Sequence, residues 1–170
     1  MIILIPLGGI GQRFKENGYK KPKALIKVNE KEIIFHLIDN LKVTNNISYI
    51  YIPYNIEYTN YDFENVVKKR YPNYKFKFMV LKEQTRGAAE TIYKALQNLY
   101  SGQIKYPINP TQMKDMFDKP ILCLDSDNFY TNDIINLWNG KNSVFTFLSR
   151  DINPIFSYLK TDENENILQI

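Results

Sequence analysis

The sequence predicts an α/β fold built on a mostly parallel sheet with helices on both faces. Three observations carry this. Strand-like and helix-like patterns alternate along the chain. The first apolar run, Ile2-Ile3-Leu4-Ile5-Pro6-Leu7, leads straight into a glycine turn, Gly8-Gly9-Ile10-Gly11. A later apolar run, Pro120–Asp125, ends in acids. In sheets of this kind ligands bind beyond the carboxyl ends of the strands. The glycine turn and the Asp125-Ser126-Asp127 turn are therefore expected on one edge.

The elements follow in order. Ile2–Leu7 reads as a buried strand and Ala24–Val28 as a short extended piece. Lys31–Leu41 places Ile33, Ile34, Leu37, Ile38 and Leu41 at helical spacing. Ser48–Pro53 reads as a strand. Tyr61–Tyr71 reads as a helix stopped by Pro72. Tyr74–Leu81 alternates as a strand does. Gly87–Tyr100 is an amphipathic helix with Ala88, Ile92, Ala95, Leu96 and Leu99 on one side. Residues 101–118, with Gly102, Pro107 and Pro110, form a long excursion. Pro120–Asp125 is a strand, Asp133–Trp138 a short helix and Ser143–Leu148 another strand. Phe156–Lys160 and Asn166–Ile170 pair through a polar turn, Thr161–Glu165.

Composition excludes several classes. The 170 residues are 44% hydrophobic, enough for one domain with a core and too many for a disordered chain. No apolar run reaches the length of a membrane span, and the first run lacks the basic flank of a signal peptide. The single cysteine, Cys123, excludes an internal disulfide or a cysteine-rich zinc site, and its apolar surroundings read as core. A cytoplasmic protein with no membrane partner is expected. The net charge of +4 is too small to argue for nucleic acid. Much of the excess lies in Arg13, Lys15, Lys20, Lys21 and Lys23, against one acid, Glu16.

Three constellations carry chemistry. Glycines in the first loop let the backbone turn tightly and present N–H groups to an anion, and the cations that follow point to a nucleoside triphosphate. The loop is neither a dinucleotide fingerprint nor a Walker loop. It lacks the third glycine, an acid after the second strand (Pro53 and Tyr54 stand there) and a Gly-Lys-Ser/Thr sequence. A plain strand-to-helix turn is the simpler alternative for the loop alone. Asp125 and Asp127 suit magnesium, which takes one or two carboxylates plus phosphate oxygens. A polar helix cap is the alternative there. Third, Glu83-Gln84-Thr85-Arg86-Gly87-Ala88-Ala89 lies between a strand and a helix. The Gln84 amide can read a base edge and Gly87 lets the backbone approach a ring; an ordinary helix start capped by Thr85 is the alternative. The only histidine, His36, lies inside a helix and reads as structural.

In this order the three constellations resemble the nucleoside-diphosphate-sugar pyrophosphorylases, a nucleotidyltransferase family, most of all its capsule and surface-polysaccharide branch. The resemblance rests on Gly9-Ile10-Gly11-Gln12-Arg13, on Pro22-Lys23-Ala24-Leu25-Ile26, on Gln84 with Gly87-Ala88-Ala89, and on Ser126-Asp127, where Ser replaces the family's Gly. It implies a Rossmann-like, GT-A-type three-layer αβα sandwich over residues 1–170, a single nucleotidyltransferase domain. The implied reaction is attack by a sugar phosphate oxygen on the α-phosphorus of a nucleoside triphosphate, with release of pyrophosphate. The substrate supplies the nucleophile, in keeping with a chain that shows no nucleophilic triad.

The resemblance also implies residue roles. Arg13 and Lys23 are the catalytic cations. Leu7, Gly8, Gly9, Ile10, Gly11, Gln12, Gln84, Gly87 and Ala88 bind the nucleotide. Asp127 holds Mg2+, with Asp125 in an assisting place. The family continues beyond a segment like Asn166–Ile170 with a Glu-Lys pair, more strands, acceptor contacts and a second metal-binding Asp. The sequence ends at Ile170, so the nucleotide half is expected and much of the acceptor half is not. A non-catalytic nucleotide-binding domain, or transfer to a non-sugar phosphate such as choline phosphate, stay open as alternatives.

Overall fold

The structure, a computed structural model, describes residues 1–44, 46–101, 119–146 and 159–169. Two compact units divide it, Met1–Leu137 and Trp138–Ile170.

The first unit is organised by a four-stranded sheet. Its strands are β1 (Ile2–Leu4), β4 (Tyr49–Asn55), β5 (Phe76–Leu81) and β6 (Ile121–Cys123), in the order β5-β4-β1-β6. All three pairings are parallel, with Ile2 opposite Tyr49 on one side and opposite Ile121 on the other. Parallel strands buried on both faces need apolar residues at successive positions. Ile2, Ile3, Leu4 and Ile5 meet that need, each at most 3% exposed.

Side-chain alternation divides this sheet between two layers. Ile3, Ile5, Ile50, Ile52 and Tyr54 share one core with Ile34, Phe35, Leu37 and Ile38 of α2 (Ile33–Asn40) and with Phe63 and Val67 of α3 (Phe63–Arg70). Ile2, Leu4 and Tyr51 share the other with Ala95 and the partly buried Ile92 and Leu99 of α4 (Ala88–Ser101). The expected Rossmann-like αβα sandwich with helices on both faces is present.

Local sequence explains the connections. Gly11 is left-handed, with φ 63°, and opens the short helix α1 (Gln12–Glu16). Strands β2 (Lys27–Val28) and β3 (Lys31–Glu32) form an antiparallel hairpin. Its two turn residues, Asn29 and Glu30, both have positive φ, which matches the twist of the flanking strands. Before α3, Ile56–Tyr61 makes a 3-10 turn in which the Asn55 side chain accepts the Glu57 N–H. In the second unit, β7 (Lys160–Thr161) and β8 (Ile167–Gln169) pair antiparallel.

Several expectations need correction. Lys23–Leu25 is a 3-10 turn and not extended; the Leu25 N–H closes on the Pro22 carbonyl. Residues 133–138 form turns with one helical bond, Leu137 N–H to the Asp133 carbonyl, because so short a segment cannot repay helix nucleation. Among the described residues, 143–146 pair with no strand, and Val144 and Phe145 are exposed. Cys123 is exposed and not core, lying on the strand that ends the sheet on one side among the described residues. The excursion 102–118 and residues 147–158 lie outside the described residues.

Candidate functional site

The order β5-β4-β1-β6 contains a switch point. After β1 the chain builds outward through β4 and β5, then returns to place β6 on the other side of β1. The crevice at the carboxyl ends of β1 and β6 is where open α/β sheets bind ligands. A cleft of about 230 Å³ opens there. The loop after β1 contributes Pro6, Leu7, Gly8, Gly9 and Gly11 to it, and the turn after β6 contributes Asp125, Ser126 and Asp127. The segment after β5 and the start of α4 contribute Thr85, Gly87, Ala88 and Thr91; Lys23 and Tyr58 complete it.

All three constellations legible in the sequence therefore meet in one place. Leu7, Gly8, Gly9, Gly11, Lys23, Gly87, Ala88 and Asp127 line the cleft, while Ile10, Gln12, Arg13 and Gln84 lie outside that lining. Among the described residues, no group receives the N–H of Gly8, Gly9, Ile10, Gly11 or Gln12. The loop thus offers unpaired donors beside the cleft, the arrangement that binds anions.

The five cations of residues 13–23 separate into different roles. Only Lys23 lines the cleft. Lys15 is held by both carboxylate oxygens of Glu57, at 2.5 and 2.8 Å, which ties α1 to the 3-10 turn after β4. Arg13, Lys20 and Lys21 are exposed. The Lys20 carbonyl accepts from Tyr61 Oη at 3.2 Å, so the segment before Lys23 is anchored by its backbone.

Lys23 forms an ion pair with Asp127, joining residues 104 positions apart. Its Nζ also lies 5.6 Å from the centre of the Phe14 ring, a cation–π contact. Both partners keep water access: the side chains are 34% and 42% exposed. Beneath them the backbone is tight. A Cβ on Gly11 would come within 3.2 Å of Lys23 Cβ. Asp125 also lines the cleft and accepts from Asn128 Nδ2 at 3.2 Å.

Two carboxylates in the cleft are too few for a closed protein cage. Among the described residues no group of three or more His, Cys, Asp and Glu could hold an ion. The donor set fits magnesium shared with a phosphate ligand, because that ion uses one or two carboxylates and retains other oxygen ligands.

Pro6, Tyr58, Thr85 and Thr91 line the cleft without having been picked out in the sequence as site residues. Thr85 and Thr91 share a hydrogen bond at 2.7 Å, and Thr91 Oγ1 donates to the Gly87 carbonyl at 3.1 Å. Each hydroxyl has one proton, so the chain runs Thr85 to Thr91 to Gly87. Among the described residues no backbone N–H donates to the Thr85 hydroxyl, so it does not act as an N-cap; Glu90 instead accepts the Arg86 N–H at 2.8 Å. Thr91 had a signal: it lies three residues after Ala88 and four before Ala95, on the apolar side of its helix. Tyr58 is 2% exposed and accepts the Ala24 N–H at 3.4 Å. Burial pushes its hydroxyl up to about 12; the Ala24 bond opposes this and the Glu57 charge adds to it.

No protein-family model matches this sequence, and no curated protein sequence matches it. Solved structures do. A nucleoside-diphosphate-sugar pyrophosphorylase from Vibrio cholerae RC9 matches with TM-score 0.50 and 22% identity, over 62% of this chain and 43% of that one. A candidate glucose-1-phosphate thymidylyltransferase from Bacillus anthracis, solved with a sucrose, matches with TM-score 0.57 and 18% identity, over 79% and 47%. At such identity the likeness establishes the fold. The chain spans less than half the length of either neighbour. Among the described residues, no helix is long and apolar enough to cross a membrane.

Proposed function

We propose that the cleft binds a nucleoside triphosphate and transfers its nucleotidyl group to a phosphorylated small molecule, a sugar phosphate, with release of pyrophosphate. One observation carries this reading: unpaired loop amides, one ammonium and two carboxylates converge at the switch point of a parallel sheet. That set suits alignment and charge neutralisation, and it needs no protein nucleophile. The two structural neighbours, named as enzymes of nucleotide-sugar synthesis, support the same class.

In this reading the amides of Gly9 to Gln12 receive the β- and γ-phosphates, with Arg13 reaching in from the exposed face of α1. Lys23 stabilises charge on the α-phosphate. Gly87 and Ala88 form the floor for the base, and Gln84 reads its edge from outside the lining. Asp127 holds Mg2+, with Asp125 beside it; bound there, the ion supplies charge neutralisation and orientation of the phosphate oxygens. The product would be an activated sugar for capsule or surface polysaccharide. Nucleic acid and membrane have no part in the proposal.

The test is pyrophosphate release with each nucleoside triphosphate against a panel of sugar phosphates and choline phosphate, with and without Mg2+. Release that needs both substrates supports transfer. Binding of a triphosphate with no release from any pair would instead assign the chain a nucleotide-binding role.

A further inference from the structure

The Lys23–Asp127 ion pair joins the two groups that the proposed reaction needs apart. Lys23 is the only one of the five loop cations in the cleft, and Asp127 is the carboxylate placed to hold a divalent cation. A cation arriving at the Asp127 carboxylate meets an ammonium already bound to it. A phosphate arriving at Lys23 meets a competing carboxylate. Neither ligand finds its partner free.

We infer that this ion pair is a latch that makes the divalent cation and the polyphosphate bind as one unit, each opening the site for the other. The inference rests on reading the cleft as a metal–polyphosphate site. The backbone on the Lys23 side is anchored. Gly11 packs against Lys23, Pro22 and Lys23 carbonyls accept the Leu25 and Ile26 N–H groups, and the next residue, Ala24, bonds Tyr58. What can move is the flexible four-carbon stem of Lys23, whose ammonium sits at the cleft wall with a third of the side chain still exposed. When a cation alone displaces that ammonium, like charges face each other in a half-buried space. When a polyphosphate alone draws it away, its own negative charge faces the released carboxylate. Together the two ligands replace one ion pair by two. Coupling of this kind is reciprocal and typically changes each affinity by about 5- to 150-fold.

The latch makes a prediction that simple loss of a site residue does not: removing one partner strengthens binding of the ligand that belongs to the other. Lys23→Met, with Lys23→Gln as a second variant, should bind Mn2+ alone about tenfold more tightly than the wild type, read by electron paramagnetic resonance without any phosphate. Asp127→Asn should bind pyrophosphate more tightly than the wild type in the absence of metal, read by calorimetry. Two controls separate the latch from a general change of charge. Lys21→Met, at an exposed neighbour outside the cleft, should leave Mn2+ affinity unchanged. Asp125→Asn should raise metal-free pyrophosphate affinity less than Asp127→Asn does.

Unchanged or weaker Mn2+ binding by both Lys23 variants overturns the latch, as does unchanged or weaker pyrophosphate binding by Asp127→Asn. Gains of equal size in the controls also overturn it. Both readouts use metal and pyrophosphate without a nucleotide or an acceptor. A protein that shows the gains but transfers no nucleotidyl group keeps the latch and loses the proposed reaction. One that transfers without the gains does the reverse.

Discussion

Thr91 Oγ1 lies 2.2 Å from the place where a Cβ on Gly8 would fall, and Thr85 Oγ1 lies 2.8 Å from it. The loop after β1 and the first turn of α4 are therefore in contact across the cleft floor, and residue 8 must be glycine for a reason of space. Gly9 differs, with nothing within 4 Å of its Cβ position.

Gly8→Ala should lower stability by about 1–3 kcal/mol, the usual cost of forcing a methyl group into filled space. Adding Thr91→Ala should recover part of that loss, because it removes the closest obstruction. Gly9→Ala should change stability by less than about 0.5 kcal/mol. Urea midpoints of the single and double variants check this; equal effects at positions 8 and 9 would refute the contact.

Lys23→Ala should leave the fold intact and reduce nucleotidyl transfer by about 100-fold or more, the scale for losing a charge aimed at a reacting group. Its exposed ion pair should contribute no more than about 1 kcal/mol to stability. Turnover with matched thermal melts is the measurement, and unchanged kcat would remove Lys23 from catalysis.

Tyr58→Phe removes one hydroxyl while retaining the ring that packs against Tyr54 and Phe63. The Ala24 N–H then loses its acceptor, at a cost of about 1–3 kcal/mol for an unsatisfied buried donor. The wild-type hydroxyl is raised by burial to about 12, so its stabilising effect is complete below pH 10 and is lost as pH rises from 10 through 12. Thermal melts across that range should fall more steeply for the wild type than for the variant, with Tyr51, also raised to about 12 by burial, providing a common background.

Glu90 is held at about 2, below its ordinary 4.5, first by the Arg86 N–H and then by the Arg86 side chain. The contribution of this carboxylate is complete above pH 4.5 and is lost as pH falls toward 2. Hydrogen-exchange protection at residues 86–91, taken relative to the intrinsic amide rate at each pH, should fall over that interval in the wild type. In Glu90→Gln that protection should be low already at neutral pH and change little with acid.

Most of the sheet was legible because burial on both faces leaves a simple mark. Ile2–Ile5 and Tyr49–Tyr54 carry apolar residues at consecutive positions, and the helices between them repeat at helical spacing. Misreadings fell where local pattern lacks a partner. Residues 143–146 look like a strand, yet a strand exists only through pairing, and among the described residues they find no partner. Residues 133–138 look like a helix, yet one turn cannot stabilise itself. Cys123 sits in an apolar run, yet the sequence does not say that its strand would end one side of the described sheet.

The amino-acid order by itself determined which chemical groups are present and which follow a strand end: the glycine loop, Lys23, Gly87 and Asp127. Backbone conformation and short-range periodicity suffice for that. Tertiary structure decided which of them meet. It committed Lys15 to Glu57, left Arg13 outside the cleft lining, and brought Tyr58, Thr85 and Thr91 into that lining. It also set Lys23 against Asp127. Contacts between residues 104 positions apart depend on strand order, since only the placement of β6 beside β1 puts the two loops on either side of one crevice.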